Sequence, residues 1–123
     1  DFFYCDSALL AAGYVYNAVQ ELKKQGQTLS SFIKSIRKYE STGEMNYKVE
    51  NPSAIIQRVA YAFTKEKRPD AVYDFDGVRI EYPDFWLNLR ASNTEPYLRM
   101  VAEANDVTLL KKIVGKIENL INS

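Results

Sequence analysis

Residues 85–102 have the sequence FWLNLRASNTEPYLRMVA. The flanking segments Phe85–Leu89 and Tyr97–Ala102 are rich in the aromatic and apolar residues that are typical of strands. The run between them is polar and ends at Pro96. This pattern predicts two neighbouring strands of one sheet, joined by a short polar loop.

The loop concentrates hydrogen-bond donors, namely a guanidinium, two hydroxyls and a primary amide, on Arg90, Ser92, Thr94 and Asn93. The planar fork of an arginine matches two oxygens of a phosphate or carboxylate. Hydroxyl and amide groups add further donors, and Asn93 tolerates the backbone of a tight turn. A helix start is the alternative, since Ser92 and Glu95 fit a capping box. The strand-like residues that follow favour the loop, and phosphate is the ligand that it predicts.

Two charged residues beside the loop need separate interpretations. The Glu95 carboxylate would repel a phosphate dianion, so we expect it to point away and to hold Arg90 or a backbone N–H rather than act as a general base. Arg99 either serves as a second guanidinium for the phosphate or forms a cross-strand ion pair with Glu103 or Glu81, and the pair is favoured.

The rest of the C-terminal part alternates between strand and helix patterns. A half-buried strand is predicted at 45–49, a helix from Asn51-Pro52, a hairpin of strands 71–75 and 78–82 with a two-residue Asp76-Gly77 turn, and a last helix capped by Asn105 or Asp106. The order strand, helix, four strands, helix predicts an α+β fold, with one antiparallel sheet and two helices on one of its faces.

The N-terminal part predicts two helices. The first begins at Asp6 or Ser7 and ends near Gln25, and the second is capped by Thr28 or Ser30. Residues 8–16 carry no charge on any side, and a helix that is apolar all round is normally buried. We therefore expect upstream chain to cover it, and we predict a domain boundary within residues 40–44, with domains 1–40 and 41–123.

Composition excludes several classes of function. The 123 residues carry 16 basic and 16 acidic side chains, so no net charge attracts nucleic acid or an anionic membrane. The chain has no histidine, which excludes Ser-His-Asp and Cys-His catalysis within it. Cys5 is the single cysteine, so no intrachain disulfide forms. Without a signal peptide or a membrane-spanning stretch, a cytoplasmic location is predicted.

Three other patterns point to alternatives that we rank lower. The acidic residues around the predicted hairpins, Asp74, Asp76, Glu81 and Asp84, do not have the spacing of a known cation loop. The nine tyrosines and six phenylalanines suggest RNA stacking, but no RNP-like motif accompanies them. Trp86 is interpreted as a core or hinge aromatic rather than as a platform for a sugar.

The chain resembles the last domain of the α-D-phosphohexomutases, of the phosphomannomutase/phosphoglucomutase type. The resemblance rests on five motifs: Asp76-Gly77-Val78-Arg79, Asp84-Phe85-Trp86, Arg90–Pro96, Tyr97-Leu98-Arg99 and Glu103-Ala104. At position 93 the asparagine resembles the phosphomannomutase/phosphoglucomutase branch of the family, whereas the phosphoglucosamine branch more often has glycine at this position. Phe85 departs from the family, which often has glycine before the tryptophan.

The resemblance implies a fold, an activity and a site. Residues 1–40 would be the C-terminal helices of a third domain, and 41–123 a fourth domain similar to the TATA-binding-protein fold. The parent enzyme would move a phosphoryl group between the 1- and 6-hydroxyls of mannose or glucose, through a phosphoserine, a bisphosphate intermediate and Mg²⁺. Arg90, Ser92, Asn93 and Thr94 would hold the substrate phosphate that is not transferred.

The same resemblance implies that much of the enzyme lies elsewhere. The catalytic serine, the metal-binding loop and the G-E-x-S-G-H sugar loop have no counterpart in this sequence. We therefore expect a C-terminal fragment that is inactive alone, has no catalytic residue or metal of its own, and works with a phosphosugar and the upstream domains of its parent. No nucleic acid or membrane partner is expected. The alternative is a free-standing, non-catalytic module that binds a phosphorylated ligand.

Overall fold

The computed structural model describes residues 6–123, so Cys5 lies outside the described residues. The chain divides into two compact units, of which the first ends at Arg37 and the second is Lys38–Ser123. The domain limits inferred from the sequence, 1–40 and 41–123, stay a prediction.

The first unit contains helices α1 (Ala8–Lys24) and α2 (Leu29–Ile36). Ser7 caps α1 by accepting a hydrogen bond from the Leu10 N–H at 3.2 Å, and Thr28 caps α2, as the sequence predicts. The apolar side chains of α1 are exposed, Leu9 to 88% and Tyr14 to 70%. Within residues 6–123, no helix combines the length and the apolar content needed to cross a membrane.

The second unit is an antiparallel sheet of six strands with two helices. Its elements are β1 (Glu40–Ser41), β2 (Met45–Lys48), α3 (Pro52–Glu66), β3 (Ala71–Tyr73), β4 (Val78–Glu81), β5 (Phe85–Ala91), β6 (Tyr97–Ala104) and α4 (Val107–Ile121). The strand order is β1-β6-β5-β4-β3, and β2 also pairs with β6. The predicted α+β class with an antiparallel sheet is confirmed. The sequence did not predict β1, because two residues are too few to show a period.

One face of the sheet forms the core. Leu87 and Leu89 of β5 and Leu98 and Met100 of β6 are fully buried, because alternate residues of a strand point to the same face. The apolar stripes of α3 and α4 cover this face with Ile55, Ile56, Val59, Phe63, Leu110, Ile113 and Ile117. The intervening positions of β5 and β6 present mostly polar side chains on the opposite face, among them Asn88, Arg90, Arg99 and Glu103.

The turn between β3 and β4 differs from the predicted two-residue hairpin. Tyr73 pairs with Arg79, so the connection is longer than Asp76-Gly77, and β3 ends before Phe75. Gly77 has a φ of +77°, and a Cβ placed there would lie 2.1 Å from the Leu89 carbonyl oxygen and 2.8 Å from Arg90 Cα. Glycine at this position thus lets the turn pack directly on the backbone of β5.

Candidate functional site

The loop at residues 92–96 connects β5 to β6 and is fixed by backbone hydrogen bonds. The Ser92 N–H donates to the Tyr97 carbonyl at 2.9 Å, and the Tyr97 N–H donates to the Glu95 carbonyl at 2.7 Å. The Val49 N–H, just after β2, donates to the Pro96 carbonyl at 3.0 Å. The hydroxyl oxygens of Ser92 and Thr94 lie 3.5 Å apart, so the structure brings these two predicted donors together.

Asn93 lies at the exposed tip of the same loop. Within the part of the chain that the structure describes, its side chain makes no hydrogen bond. Its amide is therefore not committed to holding the loop, unlike the backbone groups around it. The four predicted phosphate ligands thus share one end of the β5–β6 hairpin.

Arg90 is the next-to-last residue of β5, and its guanidinium contacts two carboxylates. Its Nη2 donates to Glu44 Oε2 at 3.1 Å, and its Nη1 lies 3.7 Å from Asp76 Oδ2. Glu44 immediately precedes β2, and Asp76 belongs to the turn that Gly77 packs against β5. The Arg90 side chain is 38% exposed, so the guanidinium is oriented by protein groups and still reaches solvent.

Arg99 lies directly across the sheet from Arg90, since the two residues are register partners on β6 and β5. The Nη1 atom of Arg99 lies 3.5 Å from Glu44 Oε1. The Nε atom of Arg99 is buried and has no hydrogen-bond partner among the described residues. The predicted pair of Arg99 with Glu103 or Glu81 is wrong. Four residues separate Arg99 from Glu103 along one strand, which is roughly 13 Å.

The two carboxylates expected for Arg99 have other partners. Glu81 accepts from Arg79 Nε at 2.6 Å, and Glu103 accepts from the Trp86 indole N–H at 3.1 Å. The Arg79 guanidinium also lies 4.0 Å from the centre of the Trp86 ring. Trp86 is half-buried and lies on the face of the sheet opposite the core. The sequence-based prediction that Trp86 is a core aromatic is therefore wrong.

Glu44 bridges the two arginines. The hydrogen bond from Arg90 and the nearby charge of Arg99 hold the pKa of the Glu44 carboxyl below its usual range, so it is ionised at neutral pH. Like charges directly opposite on a sheet repel each other, and the Glu44 carboxylate offsets that repulsion. Sequence reasoning missed Glu44, because only the pairing of β2 with β6 brings it beside Arg99.

Glu95 does not have the contact expected of it. Its carboxylate makes no hydrogen bond or ion pair within residues 6–123, and Arg90 is held by Glu44 and Asp76 instead. What Glu95 does toward a bound phosphate stays a prediction.

Comparison with known proteins shows the family of this domain. The family profile described as "Phosphoglucomutase/phosphomannomutase, C-terminal domain" matches residues 44–120, which include the whole of this site. The chain belongs to this family.

Relatives of this phosphoglucomutase/phosphomannomutase domain support the assignment. A phosphomannomutase of Methanocaldococcus jannaschii is 37% identical over 118 residues, covering 96% of this chain and 25% of that protein. A phosphomannomutase of Salmonella montevideo is 34% identical over 126 residues, covering all of this chain and 26% of the relative. The chain therefore spans about a quarter of the length of the curated relatives it matches.

A solved structure is also similar. The crystal structure of a phosphoglucomutase/phosphomannomutase family protein from Burkholderia thailandensis matches with a TM-score of 0.53 and 28% sequence identity. The match covers 74% of this chain and 19% of that one. It agrees with the antiparallel α+β architecture described above.

The acidic residues of this domain do not form a metal site. Asp76 contacts Arg90, Asp84 contacts Lys67 at 3.4 Å, and Glu81 contacts Arg79. Within residues 6–123, no three side chains of the types that ligate metals converge. The Mg²⁺ that the family resemblance implies does not fit these residues, and no chemical step is assigned to a metal here.

Proposed function

We propose that this chain is the substrate-phosphate-binding region of a phosphohexomutase. The parent enzyme interconverts hexose 1-phosphate and hexose 6-phosphate, with mannose or glucose as the sugar, through a phosphoserine and a bisphosphate intermediate. One observation carries the proposal: Arg90 and the Ser92 and Thr94 hydroxyls lie at one end of the β5–β6 hairpin, inside the segment that matches the family.

The chemistry of these groups suits a phosphate better than a sugar. The fork of Arg90 matches two phosphate oxygens, and charge-assisted hydrogen bonds of this kind are about twice as strong as neutral ones. Ser92, Asn93 and Thr94 supply neutral donors for the remaining oxygens. A mutase binds its substrate in two opposite orientations, and a site that recognises only the phosphate serves both of them.

The transfer itself depends on residues that we place elsewhere in the parent. Catalysis of phosphoryl transfer is mostly positioning and neutralisation of charge. We assign the phosphoserine, the Mg²⁺ ion and the recognition of the sugar to upstream domains. This region would then hold the distal phosphate and so fix the reacting hydroxyl, and alone it would not catalyse the reaction.

The test is the Arg90→Ala variant of the full-length protein, assayed in both directions. Losing the forked contact removes roughly 1.5–3 kcal/mol of binding to a charged group, which lowers kcat/KM about ten- to a hundredfold. The loss should be similar for the 1-phosphate and the 6-phosphate, because the loop holds whichever phosphate is distal. Arg68→Ala is the matched control, since Arg68 is exposed and forms no ion pair or side-chain hydrogen bond within the described residues.

Three further variants define the site. Arg90→Lys should recover only part of the activity, because an ammonium keeps the charge and loses the fork. Ser92→Ala and Thr94→Ala should each reduce kcat/KM less than Arg90→Ala does, since each removes one neutral donor. Wild-type kcat/KM for Arg90→Ala in either direction would show that Arg90 does not hold the phosphate.

A further inference from the structure

The position between Arg90 and Arg99 is already occupied by an anion that belongs to the protein. Glu44 presents Oε2 to Arg90 at 3.1 Å and Oε1 to Arg99 at 3.5 Å. The carboxylate thus presents two oxygens of one group, each facing a guanidinium. Two oxygens of a phosphate bind a pair of arginines in the same way. The carboxylate therefore fills a site of the right charge and shape for a ligand oxyanion.

We propose that Glu44 is an internal competitor for the phosphate site, and that Arg99 is the second guanidinium of that site. This inference rests on the proposed function, and it adds that the substrate phosphate binds by displacing the Glu44 carboxylate from Arg90 and Arg99. Ligand binding and the Glu44 contacts are then alternative states of the same two arginines.

The charges of the cluster require such an exchange. Arg90 and Arg99 carry two positive charges, and Glu44 and Asp76 carry two negative ones, so the cluster is neutral without a ligand. A phosphate dianion added to the intact cluster would meet two carboxylates within contact range of Arg90 and would be repelled. When Glu44 leaves, both guanidiniums regain N–H donors that face the ligand.

The surroundings of Glu44 make its displacement feasible. Its side chain is 39% exposed and, within residues 6–123, accepts one other hydrogen bond, from the Asn46 amide at 3.5 Å. It follows Gly43, which has a φ of +64° and open space where a Cβ would be. Half-exposed ion pairs are weak, so losing this one is a small penalty against a dianion bound by two guanidiniums.

Arg99 has unused capacity for such a ligand. Its Nε is buried and has no hydrogen-bond partner in the described chain, and its only described acceptor is Glu44 at 3.5 Å. Buried donors are nearly always paired in folded proteins. A ligand oxygen that draws the Arg99 guanidinium toward the Arg90 side would supply the acceptor that is missing.

The test measures binding of inorganic phosphate to the full-length protein by titration calorimetry at pH 8. Glu44→Gln keeps the shape and removes the charge, and it should tighten phosphate binding about two- to fivefold. The same variant should lower Tm slightly, because Arg90 and Arg99 then face each other without a carboxylate. Glu50→Gln is the control for the loss of one negative charge, since Glu50 is exposed and has no described ion pair.

Arg99 is tested in the same way. Arg99→Gln should weaken phosphate binding about three- to tenfold, and Arg99→Lys should restore part of the affinity. Unchanged or weaker binding by Glu44→Gln, or unchanged binding by Arg99→Gln, overturns the inference.

The same titrations separate this inference from the proposed function. If Arg90→Ala abolishes binding while Glu44→Gln does not improve it, only the competitor role fails. If Arg90→Ala binds phosphate as the wild type does, the phosphate site itself is wrong, and the competitor role fails with it. If neither the wild type nor Glu44→Gln binds phosphate, both proposals are overturned.

Discussion

Replacing Gly77 with alanine tests the link between the fold and the position of Arg90. A Cβ at residue 77 would lie 2.1 Å from the Leu89 carbonyl oxygen and 2.8 Å from the Cα and Cβ atoms of Arg90. An ordinary contact needs well over 3 Å, so either the turn or the central strand β5 must shift by about 1 Å. The φ of +77° adds strain, because alanine avoids this region.

The expected loss follows from these two effects. The left-handed backbone costs alanine about 1–2 kcal/mol, and displacement of packed backbone adds about 1–3 kcal/mol. We expect a total of about 2–5 kcal/mol in the free energy of unfolding. For a unit of the size of Lys38–Ser123, this lowers Tm by roughly 8–40 °C. Circular dichroism during heating and in urea measures both quantities.

Gly43→Ala is the matched control. Gly43 also has a positive φ, +64°, but a Cβ there would meet no atom within 4 Å. The Gly43→Ala variant should therefore lose only the contribution of the left-handed backbone, about 1–2 kcal/mol in the free energy of unfolding. If Gly77→Ala costs no more than Gly43→Ala, the turn does not pack on β5 as described, and the position of Asp76 beside Arg90 loses its structural basis.

Three other outcomes are expected. Burial and the hydrogen bond that Tyr47 donates to Glu118 at 3.1 Å raise the pKa of Tyr47 to about 12. The neutral Tyr47 side chain therefore contributes its full stabilisation below about pH 10, and this stabilisation is lost as the pH rises toward 12. Tyr47→Phe should therefore be less sensitive to pH than the wild type in thermal unfolding over this range, and parallel profiles would contradict the assignment. Amide exchange should be fast in Ala8–Lys24, whose apolar side chains are exposed, and slow in β5 and β6; equal protection in a monomer would argue against this. The 123-residue chain alone should show no mutase activity with glucose 1-phosphate and Mg²⁺ in a coupled assay, and turnover above the blank would refute the assignment of catalysis to upstream domains.

Local patterns were sufficient for most elements of the fold. Ser7, Thr28, Asn51 and Asp106 cap the four helices as predicted, because a capping side chain acts on N–H groups two or three residues away. The two strands around the loop follow from an alternation that is visible within a few residues. The loop chemistry was equally local, since Arg90, Ser92, Asn93 and Thr94 are neighbours in the chain.

The partners of the charged residues depended on contacts that no local pattern contains. Glu44 lies 46 residues from Arg90 and 55 from Arg99, and it meets them only because β2 pairs with β6. Asp76 reaches Arg90 because Gly77 can approach the backbone of β5. A charge can pair with any opposite charge that the fold brings within reach, and many such pairs are nearly equal in energy. The sequence therefore determines which side chains can offer hydrogen bonds to an anion, and the register of the sheet determines which carboxylates contact Arg90 and Arg99.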